Sequence, residues 1–231
     1  VAQGYMARLL VAFPRTPAER AAVDWRRVLQ KLDSAAITRP FGQLANAQIS
    51  GTTSAYLQHT QLQTNSRTHM RLIGPADTSG AFQAWLRAPA AQRAPFDVVT
   101  PDRRVHGVGG PRTRGTYFER LNVQTMPQGQ GSYLLSNYRG VRYGTNFFQT
   151  GFIPTLTPTE LGFIRAEAFI RLGRRQEAAD IVNRTRVANG QLRPVGPDGP
   201  PAGRDCVPRR DDGTCGGLFD ALMYEKRIEL H

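Results

Sequence analysis

Apolar residues recur at helical spacing in the first part of the chain. Helix-forming residues fill positions 1–13 and stop at Pro14. Directly afterwards, Thr16-Pro17-Ala18-Glu19 has the form of a capping box with proline at the first helical position. An apolar stripe then includes Trp25, Val28 and Leu32. The pattern predicts a pair of helices over 1–36, the second continuing from the capping box through Leu32.

The same arrangement recurs near the other end of the chain. Thr157-Pro158-Thr159-Glu160 repeats the capping signature, and apolar residues line two sides of the helix that it predicts. Gly173 is placed for a left-handed C-terminal cap, and a second helix ends at Gly190. The span 157–190 has the period of a tetratricopeptide helix pair, and its short connection forces the two helices antiparallel.

Residues 37–152 show no sustained helical period and are rich in Gly, Thr, Asn and Gln. Their pattern predicts one short helix at 80–88 and strands at 98–99, 117–123, 133–138 and 141–143. The predicted fold class is therefore mainly α: tetratricopeptide-like helical hairpins with a long loop-rich insertion that contains short strands. We expect a single domain over 1–231, divided into a helical pair (1–36), the insertion (37–152) and a C-terminal helical scaffold (153–231).

Two acids continue the apolar stripe of the last predicted helix. Leu218, Ala221 and Leu222 share one sector with Glu225 and Glu229. Buried carboxylates need basic partners, so these positions predict an internal ion-pair network that ties the last helix to the 157–190 pair. The residues expected in that network are Arg165, Glu167, Arg186, Glu225, Arg227 and Glu229.

The chain is strongly basic, with a formal net charge of +12 and only two lysines, Lys31 and Lys226, among its 30 bases. This charge would suit an anionic partner, but the arginines are dispersed, and a coding bias towards arginine explains them equally well. We therefore expect no nucleic-acid binding. No apolar run approaches the length of a membrane span.

No catalytic, metal-binding or cofactor motif is present in the sequence. Asp97, Asp102 and Glu119 are acids that could pair for glycoside hydrolysis, but chance pairs of this kind are common. We expect a protein that is not an enzyme and that uses no cofactor.

Cys206 and Cys215 are the only cysteines, and they bracket a polar loop with turn-forming residues. The spacing favours a structural disulfide, which would indicate an extracytoplasmic compartment. Unpaired thiols and a metal or redox role remain alternatives, although the loop lacks further metal ligands and the C-x-x-C spacing of redox sites.

Several motifs of the C-terminal part resemble a known family. Arg165-Ala166-Glu167-Ala168 is followed by Asn183-Arg184-Thr185-Arg186 and, after a variable loop, by Tyr224-Glu225-Lys226-Arg227-Ile228-Glu229-Leu230. This order is similar to the C-terminal half of the SusD/RagB family of outer-membrane nutrient-uptake lipoproteins. Lys226 departs from the usual arginine of the last motif. The match is fairly specific over 153–230, looser over 1–36 and weak over 37–152.

The resemblance implies a non-catalytic surface protein that binds glycans or other nutrients. It implies a SusC-like TonB-dependent transporter as the partner and the extracellular face of the outer membrane as the location, with the periplasm as second choice. Family members attach to the membrane through an N-terminal lipidated cysteine. We expect the present sequence to be a fragment without that anchor.

Sugar binding requires aromatic surfaces and planar polar side chains, and residues 37–152 offer both. The positions expected to bind ligand are Trp85, Tyr56, Tyr117, Gln58, Asn65 and Arg67. Core packing is the alternative for each aromatic residue. The alternative for the whole protein is a helical-repeat scaffold, or an accessory subunit, that contacts other proteins in a membrane-associated assembly.

Overall fold

The computed structural model describes residues 1–45, 67–122, 132–142 and 151–231. Its α-helices in these ranges are α1 (Ala2–Ala12), α2 (Pro17–Ala21), α3 (Trp25–Asp33), α4 (Met70–Ile73), α5 (Ala81–Arg87), α6 (Pro158–Arg171), α7 (Arg175–Ala188) and α8 (Leu218–Glu229). Its strands are β1 (Phe41–Ala45), β2 (Phe118–Arg120), β3 (Tyr138–Gly140) and β4 (Gly151–Leu156).

The N-terminal helices pack on the C-terminal part of the chain. α1 and α3 contact each other and both contact α6, around buried residues that include Ala7, Val28 and Ile164. The capping box at Thr16 is present with both of its reciprocal hydrogen bonds. The single helix predicted beyond it is wrong, because the Asp24 side chain accepts from the Arg27 amide and begins a new helix.

Helices α6, α7 and α8 pack against one another around an apolar cluster that includes Phe163, Val182 and Leu222. Only three residues connect α6 to α7, so the two helices run antiparallel as predicted. Gly173 in that connection has φ +79, the left-handed conformation expected for a helix C-terminus.

The cap of α6 differs from the expected capping box. Thr157 Oγ1 accepts from the Glu160 amide at 3.0 Å. The Glu160 carboxylate does not return to the cap, because it forms an ion pair with Arg8 of α1. The acid of this signature therefore joins two helices.

The strands form two separate antiparallel ribbons. In the first, β1 pairs with β4, with Leu44 opposite Phe152; neither strand was predicted. In the second, β2 pairs with β3. β2 is shorter than predicted, β3 begins only at Tyr138, and residues 98–99 are not a strand.

The mainly α fold class of tetratricopeptide-like hairpins is wrong. The described residues form a mixed α/β structure, in which about 44% of them are helical and about 11% lie in strands. The physical reason is a separate hydrophobic core in which the middle of the chain packs against α8. Met70, Phe82 and Phe118 form it with Tyr224 and Ile228 from one face of α8. Residues 67–122 and 132–142 are thus a packed layer with short elements of its own, which we call the middle layer.

A disulfide joins Cys206 to Cys215, with the Cα atoms 5.9 Å apart. The disulfide loop (206–215) contacts the middle layer. The Arg209 amide donates to the Pro75 carbonyl at 2.9 Å, and Gln83 Nε2 donates to the Arg210 carbonyl at 3.0 Å.

In the ranges that the structure describes, no helix combines the length and the apolar character that crossing a bilayer requires.

Candidate functional site

A fully buried arginine, Arg104, lies at the centre of a cluster of acids. Its guanidinium contacts Asp102 at 2.7 Å, Glu225 at 2.6 Å and Glu229 at 2.8 Å. Because a guanidinium presents several donors in one plane, it can bind three carboxylates at once. We call these four residues the Arg104 cluster.

Local backbone geometry explains how a loop arginine reaches α8. The Tyr117 and Phe118 amides both donate to the Arg104 carbonyl at 3.0 Å, which ties its loop to the start of β2. Gly190, after α7, leaves room for the side chain, because a Cβ there would lie 2.8 Å from Arg104 Nη2. On α8, Glu225 and Glu229 are one turn apart and face the same side.

Neutral side chains satisfy the remaining oxygens of the cluster. The Tyr224 hydroxyl donates to Asp102 at 2.6 Å, and Thr185 donates to Glu225 at 2.9 Å. Buried carboxylates are tolerated when they are paired and hydrogen-bonded in this way.

Burial and the neighbouring opposite charges shift the pKa values of Arg104 and Glu225 in opposite directions. Burial raises the pKa of Glu225, although the Arg104 charge and hydrogen bond oppose that shift. Burial alone would lower the pKa of Arg104, but Asp102 and Glu225 outweigh it, so the pKa is raised. Arg104 is therefore held in its charged form.

The structure corrects the predicted ion-pair network. The strong partner of Glu225 and Glu229 is Arg104, which was not predicted. The predicted pair of Arg186 with Glu225 is present but long, with Nη1 and Oε1 3.9 Å apart. The other predicted members lie elsewhere: Arg165 pairs with Asp33, Glu167 pairs with Lys226, and Arg227 is exposed, with no ion pair to any described residue.

A cleft of about 520 Å³ opens beside this cluster, between β4 and the start of α6. Its lining combines an exposed aromatic ring with hydroxyl and charged groups: Phe152, Pro154, Thr155, Thr159, Glu160, Arg142, Glu229 and neighbouring residues. The Phe152 side chain is 42% exposed. We call this feature the Phe152 cleft.

Glu229 belongs to both the Phe152 cleft and the Arg104 cluster. Its carboxylate accepts from the Tyr117 hydroxyl at 3.0 Å and lies 3.3 Å from Arg142. The Arg142 guanidinium stacks over the Tyr117 ring at 4.2 Å. Desolvation, followed by the Glu229 charge, raises the pKa of Tyr117, so its hydroxyl remains a proton donor.

Of the predicted ligand residues that the structure describes, none lines the Phe152 cleft. Trp85 is 4% exposed, and it packs in the core against Phe82. Tyr117 is half-buried beneath the Phe152 cleft, and Arg67 is half-buried next to Thr68. Tyr56, Gln58 and Asn65 lie outside the described residues.

Sequence reasoning missed Phe152 because it falls in an unpredicted strand. β4 also lacks the regular alternation of a strand, since Phe152 is exposed whereas Leu156, which would share its face in a regular strand, is buried. The register with β1 shifts between Pro154 and Leu156, which explains this change of face.

The acids considered for hydrolysis are all paired with arginines. Asp102 contacts Arg104, Asp97 contacts Arg112 and Arg120, and Glu119 contacts Arg139. Among the described residues, no group of three or more His, Cys, Asp or Glu side chains is arranged to hold a metal ion.

Comparison with known proteins adds no family to this geometry. No protein-family model matches the sequence, and neither the curated proteins nor the solved structures give a significant match. The similarity to SusD/RagB proteins therefore depends on the motif residues of α6, α7 and α8 alone.

Proposed function

We propose that this protein is a non-catalytic binding component of a TonB-dependent outer-membrane uptake system, as its SusD/RagB-like motifs imply. We propose an oligosaccharide or a similar polyhydroxylated nutrient as its ligand. The observation that supports this ligand class is the Phe152 cleft, where an exposed aromatic ring borders carboxylates, hydroxyls and a guanidinium.

The chemistry of the cleft matches the two faces of a sugar. The C–H face of a pyranose packs on an aromatic ring, and its hydroxyls exchange hydrogen bonds with planar polar groups. Phe152 offers the ring, and Glu160 and Arg142 offer planar groups. Glu160 is fixed by Arg8, and Arg142 by Glu229, so both are held in place before a ligand arrives.

The disulfide supports the proposed location. Disulfides persist in oxidising compartments, which agrees with the extracellular face of the outer membrane or, as second choice, the periplasm. The proposed partner is a SusC-like transporter. Affinity purification of the full-length protein from membranes should recover an identified TonB-dependent β-barrel, and its absence would contradict the partner proposal.

Isothermal titration calorimetry of the chain against a panel of oligosaccharides tests the ligand class. Phe152→Ala should weaken the affinity at least about tenfold, because a central aromatic contact is lost. Phe41→Ala is the matched control, since Phe41 is 47% exposed on the same ribbon but does not line the cleft. The bound oligosaccharide should be recovered chemically unchanged.

Two outcomes would contradict the ligand proposal: no binding across the panel, or equal loss in the two variants. The alternative of a protein-contact scaffold would then be favoured. The observation on its side is an apolar stripe along α1 and the residue that follows it, where Met6, Leu9 and Phe13 are exposed along a groove of about 560 Å³.

A further inference from the structure

A second cavity, of about 170 Å³, lies behind the C-terminal end of α7 and is separate from the Phe152 cleft. The side chains that matter for its chemistry are Arg186, Gln191, Arg193 and Asp205, and Pro201 and Cys206 form part of its wall. The proposed function uses none of these residues as ligand contacts.

Arg186 lines this cavity and is incompletely satisfied. It is 2% exposed. Its Nε donates to the Arg193 carbonyl and its Nη2 to the Val207 carbonyl, each at 2.7 Å. Nη1 has no hydrogen-bond partner among the described residues, and Glu225 at 3.9 Å is too distant to be one. A buried charged donor left in this state costs free energy.

The electrostatics of Arg186 agree with this deficit. Desolvation lowers its pKa, and the nearby Arg104 charge acts in the same direction. The opposing charges of Glu225 and Asp102 do not compensate fully, because Arg104 already occupies them. Additional negative charge in the cavity would stabilise the Arg186 guanidinium.

The backbone at the cavity is also unusual. Gln191 has φ +52, a left-handed conformation that is costly for a residue with a side chain. It lies three residues beyond the end of α7 and reverses the chain, so that the Leu192 amide donates to the Arg186 carbonyl at 3.2 Å. The strained residue thereby places Arg193 beside Arg186 in the cavity wall.

We propose that this cavity binds a small oxyanion, with Arg186 and Arg193 as its cationic ligands. The charged side chains of the lining are two arginines and one acid, Asp205, so the lining has net positive charge. Guanidinium groups match the geometry of phosphate, sulfate and carboxylate oxygens. The volume equals that of roughly six water molecules, which admits such a group but excludes an oligosaccharide.

Arg193 is the residue through which the site can be tested without disturbing the core. It is half-exposed and pairs with Asp205 at 2.9 Å. Arg210 offers a matched control, because it is equally exposed and pairs with Asp220 at 2.8 Å, but it does not line the cavity. The two arginines therefore differ mainly in whether they face the cavity.

The experiment is a calorimetric titration with inorganic phosphate, sulfate and acetate, at constant ionic strength against chloride. We expect saturable binding of at least one of these oxyanions to the unaltered protein. Arg193→Ala should weaken that binding about tenfold, the equivalent of one charge-assisted contact, and Arg210→Ala should leave it unchanged.

A second variant tests the same site in the opposite direction. Asp205→Asn removes the carboxylate that competes for Arg193, so oxyanion affinity should increase. Asp33→Asn, which removes the acid paired with Arg165 at the surface, should have no effect. Absence of saturable binding, or equal effects of Arg193→Ala and Arg210→Ala, would overturn the proposal and identify the cavity as a hydrated void.

Discussion

Arg104 connects the loop-rich middle of the chain to the last helix, α8. It comes from the loop before β2, and two of its three carboxylate partners come from α8. Removal of one member of a buried ion cluster leaves the other charges without compensation, which is more damaging than never having formed the cluster.

Arg104→Met should therefore lower the free energy of unfolding by about 3–5 kcal/mol. Urea denaturation followed by circular dichroism measures this change. The control is Arg112→Met, because Arg112 is exposed and forms only a surface pair with Asp97; it should change stability by less than about 1 kcal/mol. Similar losses in the two variants would show that the Arg104 cluster is not a stabilising feature.

The two acids that α8 contributes to this cluster could be predicted from the sequence, but Asp102 and the main partner, Arg104, could not. Helical periodicity placed Glu225 and Glu229 on the apolar face of α8, and the structure confirms that both are buried. The sequence Asp102-Arg103-Arg104 lies in a loop, where no period distinguishes a buried arginine from an exposed one. The basic partners predicted for the buried acids are therefore all on helices.

At the scale of single elements, helix ends were predicted better than strands. Thr16, Thr157 and Gly173 each act at a helix terminus as their residue types indicate, because capping is a local interaction. β1 and β4 pair across more than a hundred residues of sequence. Their pairing is decided by tertiary contacts, which a local pattern does not contain.

Two glycines of the α6 region should respond oppositely to alanine. Gly162 lies inside α6, where an added Cβ would meet only Ile181 at an ordinary 3.6 Å, so Gly162→Ala should stabilise the protein by about 0.5–1 kcal/mol. Gly173 has φ +79, so Gly173→Ala should destabilise it by about 1 kcal/mol. Thermal unfolding of both variants checks the difference in sign, and a shift in the same direction would contradict the helix boundaries described.

At the scale of the whole molecule, α8 lies between two hydrophobic cores. Tyr224 and Ile228 belong to the core of the middle layer, whereas Leu218 and Leu222 belong to the core shared with α6 and α7. The disulfide loop (206–215) precedes this helix and makes a second connection to the same layer. The helical spacing of apolar residues predicted α8, but it could not reveal that a loop-rich segment packs on one face of this helix.

Removal of the disulfide should weaken the connection between the layer and the helices. The double variant Cys206→Ser, Cys215→Ser should lose about 2–3 kcal/mol of stability, the amount expected for a short closed loop. The Arg209 amide, which donates to the Pro75 carbonyl, should exchange its hydrogen faster in the variant. A reducing agent should have no further effect on it, and an unchanged unfolding midpoint would contradict the prediction.

The Phe152 cleft exists only in the folded protein, because its walls come from β4 and the start of α6 and from the end of α8, which is distant from them in sequence. A compound that occupies the cleft therefore binds only native protein, and such a compound raises the melting temperature with its concentration. Differential scanning fluorimetry can thus screen nutrient libraries without any labelled probe.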